Sequence, residues 1–104
     1  MSKIPLVIAD VIKRKLSVKH GVSEEEIQEA FLNRQPLVLA PEIRIKNQGT
    51  DPRYWFISET DRGRKLKVVF VFGSAGPPEI ITAYEPNTSE EFLYAQELKK
   101  NERK

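Results

Sequence analysis

Ile8, Val11, Ile12 and Leu16 fall at i, i+3, i+4 and i+8, the spacing of one helix face, and predict a first helix over residues 6–17. Pro5 suits its first turn, where a missing N–H costs nothing. Lys19-His20-Gly21-Val22-Ser23 then reads as the break before a second helix, with Gly21 able to supply a left-handed conformation. Ser23 and Glu26 have the S-x-x-E spacing of a capping box, and Val22 and Ile27 stand where a hydrophobic staple would place them. Three glutamates in the first turn favour the positive end of the helix dipole. Helix two is therefore expected to start at Glu24 and to bury Ile27, Ala30 and Phe31.

Beyond residue 36 the period changes from helical to alternating. Pro36 and Pro41 bracket Leu37-Val38-Leu39-Ala40, a short apolar run expected as an edge strand. A polar loop over 46–53 leads to an aromatic-rich strand, Tyr54–Thr60, then a hairpin turn at Asp61-Arg62-Gly63-Arg64. Lys65–Phe72 is the clearest strand: Leu66, Val68, Phe70 and Phe72 share one face, and Lys65, Lys67, Val69 and Val71 the other. The loop GSAGPP (73–78) precedes a last strand, Glu79–Tyr84. Asn87 or Thr88 caps a final helix with Glu90 or Glu91 at N3 and with Tyr94 and Leu98 on one face. The helix is expected to fray from about residue 99 into the charged tail. Trp55 and Phe56 must point to opposite sheet faces.

This order predicts a single α+β domain over residues 1–104. It has two N-terminal helices, an antiparallel sheet of about four to five strands and a C-terminal helix. With one sheet face covered by helices, the other is expected to be partly open and to carry Lys65 and Lys67 as a basic surface.

Composition narrows the chemistry. The absence of cysteine removes disulfides, thiolate metal sites and cysteine catalysis, and a lone histidine, His20, argues against a histidine-based zinc site. Neither a metal nor another cofactor is expected. No apolar run reaches the roughly 20 residues a bilayer span needs, and Ile4–Ala9 lacks the length and cleavage pattern of a signal peptide. A cytoplasmic protein without membrane contact is the expectation. Charge is segregated: residues 1–20 and 44–72 are each strongly basic, whereas 73–98 hold five glutamates and no base. Such a pattern can present a basic face to an anionic partner or can be solvated charge with no partner.

KHGVSEEE (19–26), GRKLKVVFVF (63–72), IITA (80–83) and the later Glu90 and Tyr94 resemble, in order and with compatible spacing, the BrnT toxins of bacterial toxin–antitoxin pairs. The resemblance spans roughly residues 8–95. It implies a small relative of the RelE fold, a ribonuclease activity that blocks translation, and a cognate antitoxin protein that binds DNA. The family carries a basic pair directly after the strand matched by IITA; here Tyr84 and Glu85 stand in those positions, followed by Pro86.

Metal-free RNA cleavage needs cations to stabilise added negative charge, a group to move protons, and rings to hold splayed bases. Arg53, Arg64 and Lys67 are the charge candidates and are expected to converge on one surface, with Arg44, Arg62 and Lys65 as further RNA contacts. His20, Tyr84 and Glu59 are candidates to move protons, and Tyr54 or Trp55 to stack a base. Against these stand plain readings: His20 as a packing or capping residue, Trp55 as core, Tyr84 bonding locally, and Arg62, Arg64, Lys65 and Lys67 as charges that keep a hairpin soluble. Two functions follow. One is a toxin-like, metal-independent endoribonuclease acting on mRNA; the other is a catalytically silent RelE-fold module that binds a protein partner or nucleic acid. A homodimer is compatible with either.

Overall fold

The computed structural model describes residues 4–34, 40–41, 53–72 and 76–102. Along them run α1 (Asp10–Lys15), a π-helical turn (Leu16–His20), α2 (Glu24–Asn33), β1 (Ala40–Pro41), β2 (Arg53–Glu59), β3 (Lys65–Phe72), β4 (Pro78–Tyr84) and α3 (Thr88–Glu102). The sheet is antiparallel in the order β1-β2-β3-β4. Three of its strands are full length, and β1 contributes only two residues at the edge of β2, so full strands are fewer than the four to five expected. Of the expected edge strand, only Ala40 is described; Leu37–Leu39, Arg44, the loop residues 46–52 and the GSA of the later loop lie outside the described residues.

The first helix starts later than its periodicity suggests. Backbone groups of residues 4–7 are already taken. Ile4 exchanges two 2.8 Å hydrogen bonds with the side-chain amide of Gln28. Val7 donates to the Pro78 carbonyl and accepts from the Ile80 N–H, both at 2.9 Å, which makes a parallel bridge to β4. This pairing holds the segment extended, and the helix begins only at Asp10. Pro5 therefore lies before the helix rather than in its first turn. Val11, expected on the buried face, is 71% exposed, while Leu16 is buried and Ile8 and Ile12 are half-buried against the core.

Helix α2 follows its pattern closely. Gly21 takes φ 61°, in the left-handed region. The Ser23 Oγ accepts from the Glu26 N–H, and Glu26 Oε1 accepts from the Ser23 N–H, each at 3.1 Å. Ile27, Ala30 and Phe31 are buried. Phe31 packs edge-on against Phe56 and Phe70, at 4.8 and 5.4 Å between ring centroids. That sheet face also buries Leu66, Val68, Ile80 and Ala83. Gly63 turns the β2–β3 hairpin at φ 88°, as its position in the turn requires.

The opposite sheet face is covered by helix α3 over Trp55, Lys67 and Val69, while Val71 and Thr82 stay half-buried and Arg53 exposed. Tyr94 packs at a tilt against Trp55 at 5.4 Å between centroids, and Leu98 is half-buried. Asn87 caps α3: its Oδ1 accepts from the Glu90 N–H at 2.8 Å, and Glu90 Oε1 accepts from the Asn87 N–H at 3.0 Å. Helical backbone continues to Glu102, into the segment expected to fray. Helices thus flank the sheet on both sides, an α+β architecture in three layers. Among the described residues no helix is long and apolar enough to cross a membrane.

Candidate functional site

The end of the sheet at which β3 begins and β4 finishes gathers the start of α2, the start of α3 and the end of the π turn. Four residues singled out from the sequence meet there: His20, Arg64, Lys67 and Tyr84. Their placement follows from register. Lys67 lies across from Tyr84 on the α3 side of the sheet, and the π turn brings the His20 ring to 5.6 Å from the Tyr84 ring.

Lys67 is not the surface cation its alternation suggested. It is 6% exposed, and its Nζ lies 3.0 Å from Glu90 Oε2, 4.5 Å from the Trp55 ring centroid and 5.7 Å from that of Tyr84. A cation in so dry a place needs a counter-charge, and the acidic first turn of α3 supplies it. The same Glu90 oxygen accepts the Tyr84 O–H at 2.9 Å. Burial opposes ionisation of Glu90, but the Asn87 N–H, Lys67 and Tyr84 outweigh it and hold the carboxyl below its ordinary value. Burial, reinforced by the bond to Glu90, pushes the Tyr84 phenol up, with Lys67 pulling the other way.

Arg64 acts as a clamp. Its Nε donates to Glu85 Oε2 at 2.8 Å, and its NH1 donates to Glu26 Oε1 and to the Gly21 carbonyl, both at 2.9 Å. NH2 donates to the His20 carbonyl at 3.1 Å. The bond to Glu85, and then those to Glu26, raise the guanidinium's already high pKa against the opposing effect of burial. For Glu26, burial is outweighed by the Ser23 N–H and Arg64, and its carboxyl is lowered. Glu85, which stands where the BrnT pattern has a base, is thus an ion-pair partner of Arg64.

The other predicted residues fall elsewhere. Arg53 lies across from Val71, four positions along β2 from the residue that faces Lys67, or roughly 13 Å at strand rise. The expected convergence of Arg53 with Arg64 and Lys67 does not occur. Trp55, a candidate to stack a base, is buried at 6% exposure beneath Tyr94 and Lys67. Tyr54 packs with Phe70 and Phe72 on the α2 side. Arg62 is exposed at the hairpin tip, and Lys65 sits near Glu91 at 3.6 Å; the expected basic sheet surface is therefore neutralised by α3. Glu59 faces Lys65 across the hairpin and lines a separate open cleft of about 580 Å3 at the β2 edge. Arg34 and Ser58 also line that cleft, and among the described residues their buried Nε and Oγ have no hydrogen-bond partner. Tyr94 lies there too, its phenol pushed up to about 12 chiefly by burial.

Sequence reasoning missed Glu90, Glu85 and Glu26 as members of the cluster. Glu26 and Glu90 were legible as capping residues, but a cap explains a glutamate so fully that a second partner leaves no further trace in the spacing. Among the described residues no group of three or more His, Cys, Asp or Glu side chains is arranged to hold a metal ion. Comparison with known proteins finds no family model that matches the chain and no curated protein that matches it.

Proposed function

We propose that this chain is a BrnT-like protein with a RelE-like fold, acting as a metal-independent endoribonuclease on mRNA and paired with a cognate antitoxin protein. The observation that carries this reading is the meeting of His20, Arg64, Lys67 and Tyr84 at one end of the sheet. In the reaction the 2′-hydroxyl of one nucleotide attacks the adjacent phosphorus as its proton passes to a base. The bond from phosphorus to the 5′-oxygen breaks and that oxygen takes up a proton, leaving a 2′,3′-cyclic phosphate and a 5′-hydroxyl. His20 is the group suited to both proton transfers, because an imidazole can accept a proton at one ring nitrogen and donate from the other. It is half-buried beside Tyr84. Lys67 and Arg64 place two positive charges at that end of the sheet, offset by Glu90, Glu26 and Glu85.

A second reading, a catalytically silent module that binds a protein partner or nucleic acid, is favoured by one specific feature. Each inner cation already has carboxylate partners, Lys67 with Glu90 and Arg64 with Glu26 and Glu85. The deciding experiment incubates purified protein with single-stranded RNA in EDTA, beside His20→Ala. Arg64→Ala is an unsuitable control, since Arg64 holds the His20 and Gly21 carbonyls. Cleavage to cyclic-phosphate ends, reduced about a hundredfold or more in His20→Ala, is the expected result. Intact RNA with both proteins, each folded, overturns the enzymatic reading and leaves the silent module.

A further inference from the structure

A single carboxylate joins the candidate site to the helix that roofs it. Glu90 Oε1 is spent on the Asn87 N–H at the start of α3, while Oε2 accepts from both Lys67 Nζ at 3.0 Å and the Tyr84 hydroxyl at 2.9 Å. Two donors on one oxygen fix the ammonium and the phenol relative to each other, and the capping bond ties both to α3. Nothing in the sequence reading gave Glu90 this place.

We propose that Glu90 is a positioning residue for the RNA-cleaving site, holding Tyr84 with its hydroxyl proton turned toward α3 and its oxygen able to accept a hydrogen bond from RNA; the proposal rests on the functional reading above. A phenol that gives its only proton to a carboxylate can otherwise only accept, and RNA offers it hydroxyl and base N–H donors. Tyr84 then holds a nucleotide beside the scissile bond through such a donor, leaving the proton of the attacking 2′-hydroxyl to the neighbouring His20 alone. Lys67 contributes to the same end. Buried at 6% exposure between two rings, it pairs with Glu90 at 3.0 Å, and as an ammonium it is a donor only and cannot accept the phenol proton. Among the described residues, the charged or titratable groups facing Tyr84 are Lys67 from β3, Glu90 from α3 and His20 from the π turn.

The test uses the full chain carrying Glu90→Gln, with Glu90→Asp as the conservative variant and Tyr84→Phe to identify the Tyr84 transition. Phenol ionisation is followed by ultraviolet absorbance, and cleavage of single-stranded RNA in EDTA is followed at saturating and limiting RNA. In Glu90→Gln the Tyr84 phenol is expected to ionise at lower pH than in the parent, because the negative charge that opposed phenolate formation is gone. The rate at saturation is expected to fall about tenfold with KM nearly unchanged, as loss of orientation rather than of binding predicts, and Glu90→Asp should recover part of it. Helix content by circular dichroism separates this from unfolding. An unchanged Tyr84 titration, or a saturated rate equal to the parent's, overturns the proposal while leaving the nuclease reading standing. A parent that does not cleave RNA overturns the nuclease reading itself, and with it the placement of Glu90 in a cleaving site.

Discussion

Two helices begin at the same end of the sheet with the same device, in different solvents. At α2, Glu26 completes a capping box with Ser23 and binds Arg64; at α3, Glu90 completes one with Asn87 and binds Lys67. The side chains of Arg64 and Glu26 are each about a quarter exposed, at 26% and 27%, whereas Lys67 keeps 8% and Glu90 19%. The first pair is screened by water and shared with Glu85 and two carbonyls. The second is enclosed by Trp55 and Tyr84 and has far less to replace it if one partner leaves. Burial, not motif, decides what each glutamate is worth.

Removing one cation at a time should widen that difference most. Lys67→Met is expected to cost about 3 kcal/mol, because it strands a carboxylate in a dry setting. Arg64→Met should cost about 1 kcal/mol, since Glu26 and Glu85 remain open to water. Urea unfolding midpoints at constant slope measure both, and equal losses would mean that the pairs share one environment. Removing the caps should nearly erase the contrast: Ser23→Ala and Asn87→Ala are each expected to lose about 1 kcal/mol. Both boxes use the same two reciprocal bonds, and thermal unfolding of the two variants side by side compares them.

Acid sharpens the comparison more gently. Glu26 and Glu90 both have folded pKa values below 4.5, so each contributes stability that is fully present above that pH and is lost as pH falls through the folded value. Stability of the parent should therefore decline below pH 4.5. In Glu90→Gln that decline should be shallower, with the part due to Glu26 remaining, as urea titrations at several acidic pH values would record. A decline as steep as the parent's would place the acid sensitivity in other carboxylates.

Local features of the chain were legible where local physics decides them. The start of α2, the turn at Gly63 and the bounds of β3 follow from capping, turn and alternation patterns, and each appears as expected. What failed were inferences that needed to know what lies opposite. Val11 fits a buried helical face, but the parallel bridge at Val7 delays the helix and leaves Val11 in solvent. Lys67 alternates correctly onto the face without Leu66, yet that face is roofed by α3, and no period in β3 reports a distant helix. The candidate site was half visible for the same reason. His20, Arg64, Lys67 and Tyr84 were chosen by residue type, while Glu90 was already accounted for as a cap and Arg53 shared a charged segment but not an end of the sheet.

The pairing of β3 with β4 shifts register between Val69 and Phe70: Val69 faces Thr82, whereas Phe70 faces Ile80, and Ile81 is left without a counterpart. Because of that one unmatched residue, Ile80 and Ala83 point into the same layer, and Thr82 and Tyr84 into the other. The strand thus behaves like a message read in two frames, and Ile81 is the position at which the frame changes. Loss of Ile81 would restore plain alternation and leave Thr82 facing Val69 and Tyr84 facing Lys67, as they do now. The cluster therefore depends on the strand absorbing Ile81 as a bulge: paired in regular alternation after Ile80, that residue would face Val69 and turn Tyr84 to the other side of the sheet.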